Sequence, residues 1–454
     1  MIDPSHSRFR RSERRIFWAI VLFAFVVRLA AAWYWQHQVD RSGETFRFGD
    51  SHSYWIIASN VARGEPYQFG SENSKIFRAP LYPISLVAWT WIGPGNPSPW
   101  GVWGARCMGC LFGAGAVACI MWMTRMVGNA TTAALAGVFA SIYPGAIAMS
   151  IFVLSEAVAT PLYVASCTLL LWGLRHPLVS NRLFSSGAYS SAGAFVSAGI
   201  TLALACLARP SWSLWPAIAI PYLLIAIKPK GRVEWRCMLW CIFLFCAGAV
   251  GTMAPWWVRN YQVTGKFVPT TLQVGASLYD GWHPGASGSS DENMDFVIPF
   301  IEAQNAEDEM LAKQGIPLES TLEWRIDRRM RQAAWDWARK NSSDAIWLSL
   351  VKLQKTWSPI PVAQEVQPLI RWAEGIGYGG LVVGAIAGAW RMRRERGAWL
   401  AWMPCLYLAL LHAIFIGSVR YRQPGVLLLC PLAAVGWMMV FEWIRRRGSK
   451  ASDQ

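Results

Sequence analysis

IFWAIVLFAFVVRLAAAWYW, running from Ile16 to Trp35, decides the fold class. Its only charge is Arg28. A bilayer core takes roughly 20 apolar residues per helix, because every backbone group must find its hydrogen bond inside the segment. Aromatic Trp33, Tyr34 and Trp35 close the run where a cleaved signal would carry small residues, so an uncleaved span is expected.

Working outward, comparable runs recur at 100–124, 130–149, 152–174, 190–208, 211–227, 236–255, 372–390, 398–417 and 424–444. Only 15% of the 454 residues are charged, against about 25% in soluble domains. The 28 tryptophans fit a chain with many membrane–water boundaries. The expectation is an all-α polytopic membrane protein of about ten transmembrane helices. Its parts are a basic cytoplasmic tail (1–15), a membrane module (16–255), an outer-face soluble loop domain (256–371), C-terminal membrane helices (372–444) and a cytoplasmic tail (445–454).

Charge fixes the expected orientation. Arg8, Arg10, Arg11, Arg14 and Arg15 precede the first run, and Arg125 ends the second. Arg175 and Arg182 follow the fourth, and Lys228, Lys230, Arg232 and Arg236 the sixth. Arg391, Arg393, Arg394 and Arg396 follow the eighth, and Arg445, Arg446, Arg447 and Lys450 the tenth. Ten spans place all of these groups, and both termini, on the cytoplasmic side. The net charge of +15 is then topological and does not point to nucleic acid. The expected location is the inner, cytoplasmic membrane, with the first outer loop (37–99) and the domain 256–371 facing the periplasm or exterior. Residues 79–92 are apolar but too short to span, so they are read as a helix lying on the outer surface, as are 345–357. All ten cysteines sit in or beside apolar runs and are expected to be free, the Cys107-x-x-Cys110 pair included.

The polar residues of interest gather toward the outer side. Asp50 opens a helical pattern in which Tyr54, Ala58 and Ala62 share a face and Gly64 suits the C-terminal cap. Asp50 is either the N-cap of that helix or a site carboxylate. Arg78 begins the surface helix at Arg78-Ala-Pro-Leu-Tyr82-Pro, and binds either headgroups or the phosphate of a lipid substrate. Arg106 and Glu156 lie inside apolar runs, where each costs roughly 2.5–3.5 kcal/mol at the bilayer centre. They form a structural pair or face a polar cavity. Arg209, Arg259, Arg420 and Arg422 also sit at outer ends, against the positive-inside trend. No glycine-rich phosphate loop, Asp-x-Asp motif or zinc spacing is present, and the histidines 176, 283 and 412 are isolated.

The ordered set Asp50…Tyr54, Arg78-x-Pro-Leu-Tyr82-Pro, Ser155-Glu156, Arg209-Pro210, Pro255-Trp-x-x-Arg259-Asn-Tyr with Gly265-Lys-Phe-Val-Pro269, and Arg420-Tyr-Arg422-x-Pro424 resembles the GT-C membrane glycosyltransferases. Within them it is similar to the bacterial branch of protein O-mannosyltransferases and lipid A aminoarabinose transferases. Only about 282–341 has no counterpart. The resemblance implies the GT-C fold, a polyprenyl-phosphate sugar donor, an envelope acceptor (lipid, glycan or protein), membrane lipids as surroundings, and inversion at the anomeric carbon. It implies Asp50 and Glu156 as catalytic carboxylates, Asp50 being the general base. Tyr54, Arg78, Tyr82, Arg106, Arg259, Arg420 and Arg422 become substrate or lipid-phosphate residues. Two departures are visible: Ser51 follows the aspartate where relatives often have Glu, and Phe77 stands where some carry an acidic metal ligand. No cofactor is expected, with a divalent metal at Asp50 and His52 as the alternative. The competing function class is a multispan transporter or lipid flippase, against which stand the missing internal repeat and the clustering of polar residues at one face.

Overall fold

The computed structural model describes residues 10–70, 74–175, 186–227, 231–291, 294–361 and 367–452. Arg8, Arg182, Lys228, Lys230 and His176 lie outside the described residues. Among those described, all regular structure is helical. The chain begins with α1 (Arg11–Ser42), then α2 (Gly49–Ala62) and α3 (Leu81–Thr90) in the first loop expected outside. Next come α4 (Pro99–Val127), α5 (Ala130–Ile142), α6 (Pro144–Ile151), α7 (Glu156–Arg175), α8 (Ser186–Ala208), α9 (Pro216–Ile227) and α10 (Arg232–Thr264). The second region expected outside holds α11 (Val274–Gly281), α12 (Val297–Lys313), α13 (Leu322–Lys340) and α14 (Ser342–Trp357). The chain closes with α15 (Pro368–Arg391), α16 (Trp399–Ile414) and α17 (Val419–Ser452).

Among the described residues, eight stretches are long and apolar enough to cross a membrane, and α5 with α6, bent by 57°, makes a ninth if the pair is one span. The remaining expected span, α15, falls short of that apolar test because its 24 residues include Glu374 and many glycines, yet it runs along α17 from the loop expected outside to the end where Glu395 pairs with Arg175. Those glycines do a different job. A Cβ on Gly388 would lie 1.9 Å from the Leu432 carbonyl oxygen, so α15 and α17 approach backbone to backbone, as small residues permit in membranes.

Local signals explain the ends. Ser98 caps α4 by accepting from the Gly101 N–H at 3.0 Å, with Pro99 in the first turn. Asn129 caps α5 by accepting from the Thr132 N–H at 2.8 Å. Gly43, Gly64 and Gly265 take the left-handed conformation just past α1, α2 and α10. Pro144 forces the α5–α6 bend, since it has no N–H to continue the ladder. The carbonyls of Ala140 and Ser141 freed there accept from the fully buried Arg28 of α1 at 3.0 and 3.3 Å, and Ser150 accepts from its Nε at 3.2 Å.

The two ends of the bundle differ. At one end Arg125 pairs with Glu13 (3.8 Å), Arg175 with Glu395 (3.2 Å), and Arg396 donates to the Ala226 carbonyl (2.9 Å). These are the ends expected inside. At the other end lie both loops expected outside. All ten cysteines are free thiols.

Candidate functional site

Asp50 sits in the first turn of α2 but does not cap it. Phe48 holds the cap position, and no side chain caps there. Asp50, Ser53 and Tyr54 are spaced i, i+3 and i+4, so they share one face of α2. Arg78 comes to that face. Its Nη2 lies 2.7 Å from Asp50 Oδ1, its Nε donates to Ser53 Oγ at 3.0 Å, and its Nη1 donates to Gln273 Oε1 at 3.1 Å. The Ser53 hydroxyl in turn donates to the Asp50 carbonyl at 2.7 Å. The guanidinium lies between the rings of Tyr54 (4.8 Å) and Phe77 (4.6 Å).

Glu156 is the first residue of α7 and is 2% exposed. Arg209, at the end of α8, pairs with its Oε2 at 3.1 Å, and Arg420, at the start of α17, pairs with its Oε1 through Nε. Arg420 Nη2 also reaches Asp50 Oδ2 at 3.2 Å. Arg420 thus bridges the two carboxylates. Tyr54 donates to Ser155 Oγ at 3.1 Å, and Arg209 donates to the same oxygen at 3.3 Å. The Tyr421 ring carries Arg209 at 5.1 Å on one count and His412 stacked at 4.6 Å on another. Three arginines against two carboxylates leave the cluster one positive charge in excess. Buried charges are tolerated only when paired in this way.

Asp50 feels two opposing influences. Burial alone would raise its pKa. Arg78, Arg420 and Arg209 overcome that and hold the carboxyl well below the usual carboxylate range. A small cleft lined by Glu156, Thr160, Arg209, Trp212, His412 and Tyr421 opens beside the cluster.

The remaining residues singled out from sequence lie apart from the cluster or at its edge. Tyr82 is buried edge-on against Tyr54 at 5.0 Å, directly behind the cluster. Arg106 donates to Gln36 Oε1 (2.7 Å) and to the Ile151 carbonyl (2.6 Å) at the end of α6. Arg422 donates to the Thr356 and Ser358 carbonyls at the end of α14, pairs with Glu374 at 3.3 Å and stacks on Tyr378 at 3.7 Å. Arg259 donates to the Lys75 carbonyl at 2.8 Å and stacks on Trp256 at 4.9 Å. His52, two positions from Asp50 and so on another side of α2, is exposed and meets the Phe46 ring. Asp50 and His52 therefore do not converge, and among the described residues no three His, Cys, Asp or Glu side chains gather to hold a metal ion.

The structure adds Arg209, Gln273 and Ser53. Arg209 carried a sequence signal, an arginine at an outer helix end. Gln273 and Ser53 carried none, since a neutral polar residue in an outer loop is unremarkable.

By sequence, the chain matches no protein-family profile and no curated protein. By structure it is similar to the apo oligosaccharyltransferase of Archaeoglobus fulgidus, with a TM-score of 0.59 and 14% identity over 97% of this chain and 52% of that one. It is also similar to the same organism's oligosaccharyltransferase AglB in complex with an inhibitory peptide and a dolichol-phosphate, with a TM-score of 0.53 and 11% identity over 98% and 52%. A third likeness is to ArnT from Cupriavidus metallidurans bound to undecaprenyl phosphate, with a TM-score of 0.39 and 15% identity over 92% and 77%. The chain spans about half the length of the oligosaccharyltransferases it matches (52%). The fold shared with the archaeal enzyme is the GT-C fold expected from the sequence.

Proposed function

We propose that this chain transfers a sugar, with inversion, from a polyprenyl-phosphate-linked donor to the hydroxyl of an envelope lipid, glycan or protein at the outer face of the cytoplasmic membrane. One observation carries the reading: Arg78, Arg209 and Arg420 converge on Asp50 and Glu156 where the outer loop meets the helix ends. Guanidinium forks suit phosphate as well as carboxylate, and the donor's phosphate would enter a cluster already one positive charge in excess. The archaeal enzyme of the same fold was solved with a dolichol-phosphate, which agrees with a lipid-phosphate donor.

The chemistry follows from the same contacts. The acceptor oxygen attacks the anomeric carbon from the side away from the phosphate. The bond from that carbon to the phosphate oxygen breaks, and the electron pair leaves with the polyprenyl phosphate. The acceptor's proton passes to Asp50 as general base. Arg78 and Arg420 stabilise the charge growing on the leaving phosphate. A carboxylate held so far down is a poor base. Phosphate binding corrects this, because it draws Arg78 and Arg420 away from Asp50 and adds negative charge nearby, and both changes raise the Asp50 pKa. Donor binding and base activation are then one event. Glu156, buried between Arg209 and Arg420, holds those two arginines in place. Transfer needs no metal in this reading.

The test is to incubate the purified chain with a panel of polyprenyl-phosphate sugars and envelope acceptors, and to read products by mass spectrometry and anomeric configuration by NMR. Inverted product from a lipid-phosphate sugar is expected. Transfer only from a nucleotide-sugar, or retained configuration, would overturn the reading.

A further inference from the structure

The segment that carries Arg78 has no regular structure. Its backbone must therefore be satisfied by something other than itself. The Lys75 N–H donates to Glu323 Oε2 at 2.9 Å, and the Ile76 N–H donates to the same carboxylate at 3.0 and 3.2 Å. The Lys75 carbonyl accepts from Arg259 at 2.8 Å, and the Ile76 carbonyl accepts from the Leu272 N–H at 3.0 Å. All four main-chain groups of these two residues are thus taken up by the second outer region or by the end of α10. The Ile76 side chain is fully buried.

One turn further along α13, on the same face, Asp327 Oδ1 accepts the Gly275 N–H at 2.6 Å. Gly275 is the second residue of α11, and Gln273 immediately before that helix holds Arg78 Nη1. The approach is close: a Cβ on Gly275 would lie 2.1 Å from the Asp327 carbonyl oxygen. Glu323 therefore fixes the segment before Arg78, and Asp327 fixes the segment bearing its side-chain partner.

We propose that α13 positions the arginine that binds donor phosphate, with Glu323 as the positioning residue: its carboxylate ties down the backbone of Lys75 and Ile76 and so aims Arg78 at Asp50. This rests on the reading above, in which Arg78 contacts the phosphate. It gives a role to a part of the chain, 282–341, that the family resemblance leaves without a counterpart.

The same contacts predict a dependence on pH. Burial pushes the Glu323 carboxyl up to about 7, against the Ile76 and Lys75 N–H groups and Arg259, which favour its charged form, while Asp327 on the next turn disfavours it. A pKa raised above the ordinary value of about 4.3 means that the closed arrangement favours the protonated acid. Its contribution is full below that ordinary value and is lost as pH rises through about 7. The Arg78 segment should therefore loosen on the alkaline side.

The experiment measures hydrogen-exchange protection of peptides covering 74–80 at pH 6 and pH 8, together with affinity for a short-chain polyprenyl phosphate, on the full chain in nanodiscs. In the wild type, protection falls between the two pH values. Glu323→Gln, permanently neutral and still an acceptor, keeps its protection at both. Glu323→Ala loses protection at both and binds the polyprenyl phosphate about tenfold more weakly or worse. Wild-type protection and affinity in Glu323→Ala would overturn the proposal. Should that variant not fold, Glu323→Gln decides alone, and an unchanged pH dependence in it is equally fatal. Arg78→Ala separates this from the functional reading. If it binds the polyprenyl phosphate as tightly as wild type, the phosphate role of Arg78 fails, whatever the exchange data say about Glu323.

Discussion

Arg420 Nη2 lies 3.2 Å from Asp50 Oδ2, although 370 positions separate the two residues in the chain. The contact joins the first outer loop to the start of the last helix. The candidate site exists only when both ends of the chain are folded together.

Asp50→Asn should reduce transfer at least about 100-fold, the usual scale for a lost general base. Asp50 caps nothing, but it is the carboxylate partner of buried Arg78, so Asp50→Asn and Asp50→Ala should both lower thermal stability, and transfer is to be read per folded molecule. Near-normal turnover in Asp50→Asn would remove the residue from the chemistry.

The pH dependence has a definite sign. The Asp50 pKa is depressed in the folded chain, so its contribution to stability is present above the ordinary carboxylate value, about 3.9, and is lost only as pH falls through the lower folded value. Thermal unfolding in the absence of donor should show no loss of stability from Asp50 between pH 5 and 7, and the difference between wild type and Asp50→Asn should be flat over about that range. A steep divergence of the two curves there would contradict the assigned ion pairs.

Arg420→Gln and Arg106→Gln should separate. Arg106 ties helix ends together, so its loss lowers stability by about 1.5–3 kcal/mol and leaves transfer per folded molecule within about threefold. Arg420→Gln should lower transfer about 100-fold or more. Equal catalytic effects of the two would show that the cluster around Asp50 is not special.

Glu156→Gln leaves Arg209 and Arg420 buried beside a neutral partner, which costs about 3–5 kcal/mol. Combining it with Arg209→Gln should restore part of that stability, measured by thermal unfolding in detergent. Strictly additive losses would mean that the pair does not interact.

Topology is testable with a membrane-impermeant thiol reagent on intact cells, in a background lacking native cysteines. Lys313→Cys, exposed on α12, should label, and Arg394→Cys, after α15, should not. The opposite pattern would invert the assigned orientation. EDTA should leave at least about half of the activity, since both oxygens of Asp50 are held by arginines and His52 points elsewhere. Complete loss restored by one divalent ion would reverse that expectation.

The membrane architecture was legible in the sequence because the bilayer imposes one strong rule on every span. The site was legible in part. Asp50, Arg78, Glu156 and Arg420 stood out as charges at an outer face, and they do meet. Arg106 and Arg422 gave the same signal for another reason. A helix C-terminus ends in unpaired carbonyls and a partial negative charge, and Arg106 and Arg422 serve the ends of α6 and α14. A guanidinium answers to carbonyls and to phosphate alike, so residue type and position cannot separate the two. Glu323 was illegible because its partners are backbone N–H groups, which every residue carries.

The bend between α5 and α6 has a consequence for how the chain is made. Arg28 emerges within the first span, yet the carbonyls it serves belong to residues 140 and 141. During synthesis the arginine therefore enters the membrane long before most of its partners exist, at a cost of roughly 2.5–3.5 kcal/mol if it sits at the bilayer centre. The first span should then settle fully only when the fifth helix supplies the carbonyls that solvate its guanidinium. Losing the proline should make the arginine harder to tolerate, because a helix continued through position 144 would keep the Ala140 carbonyl for its own ladder.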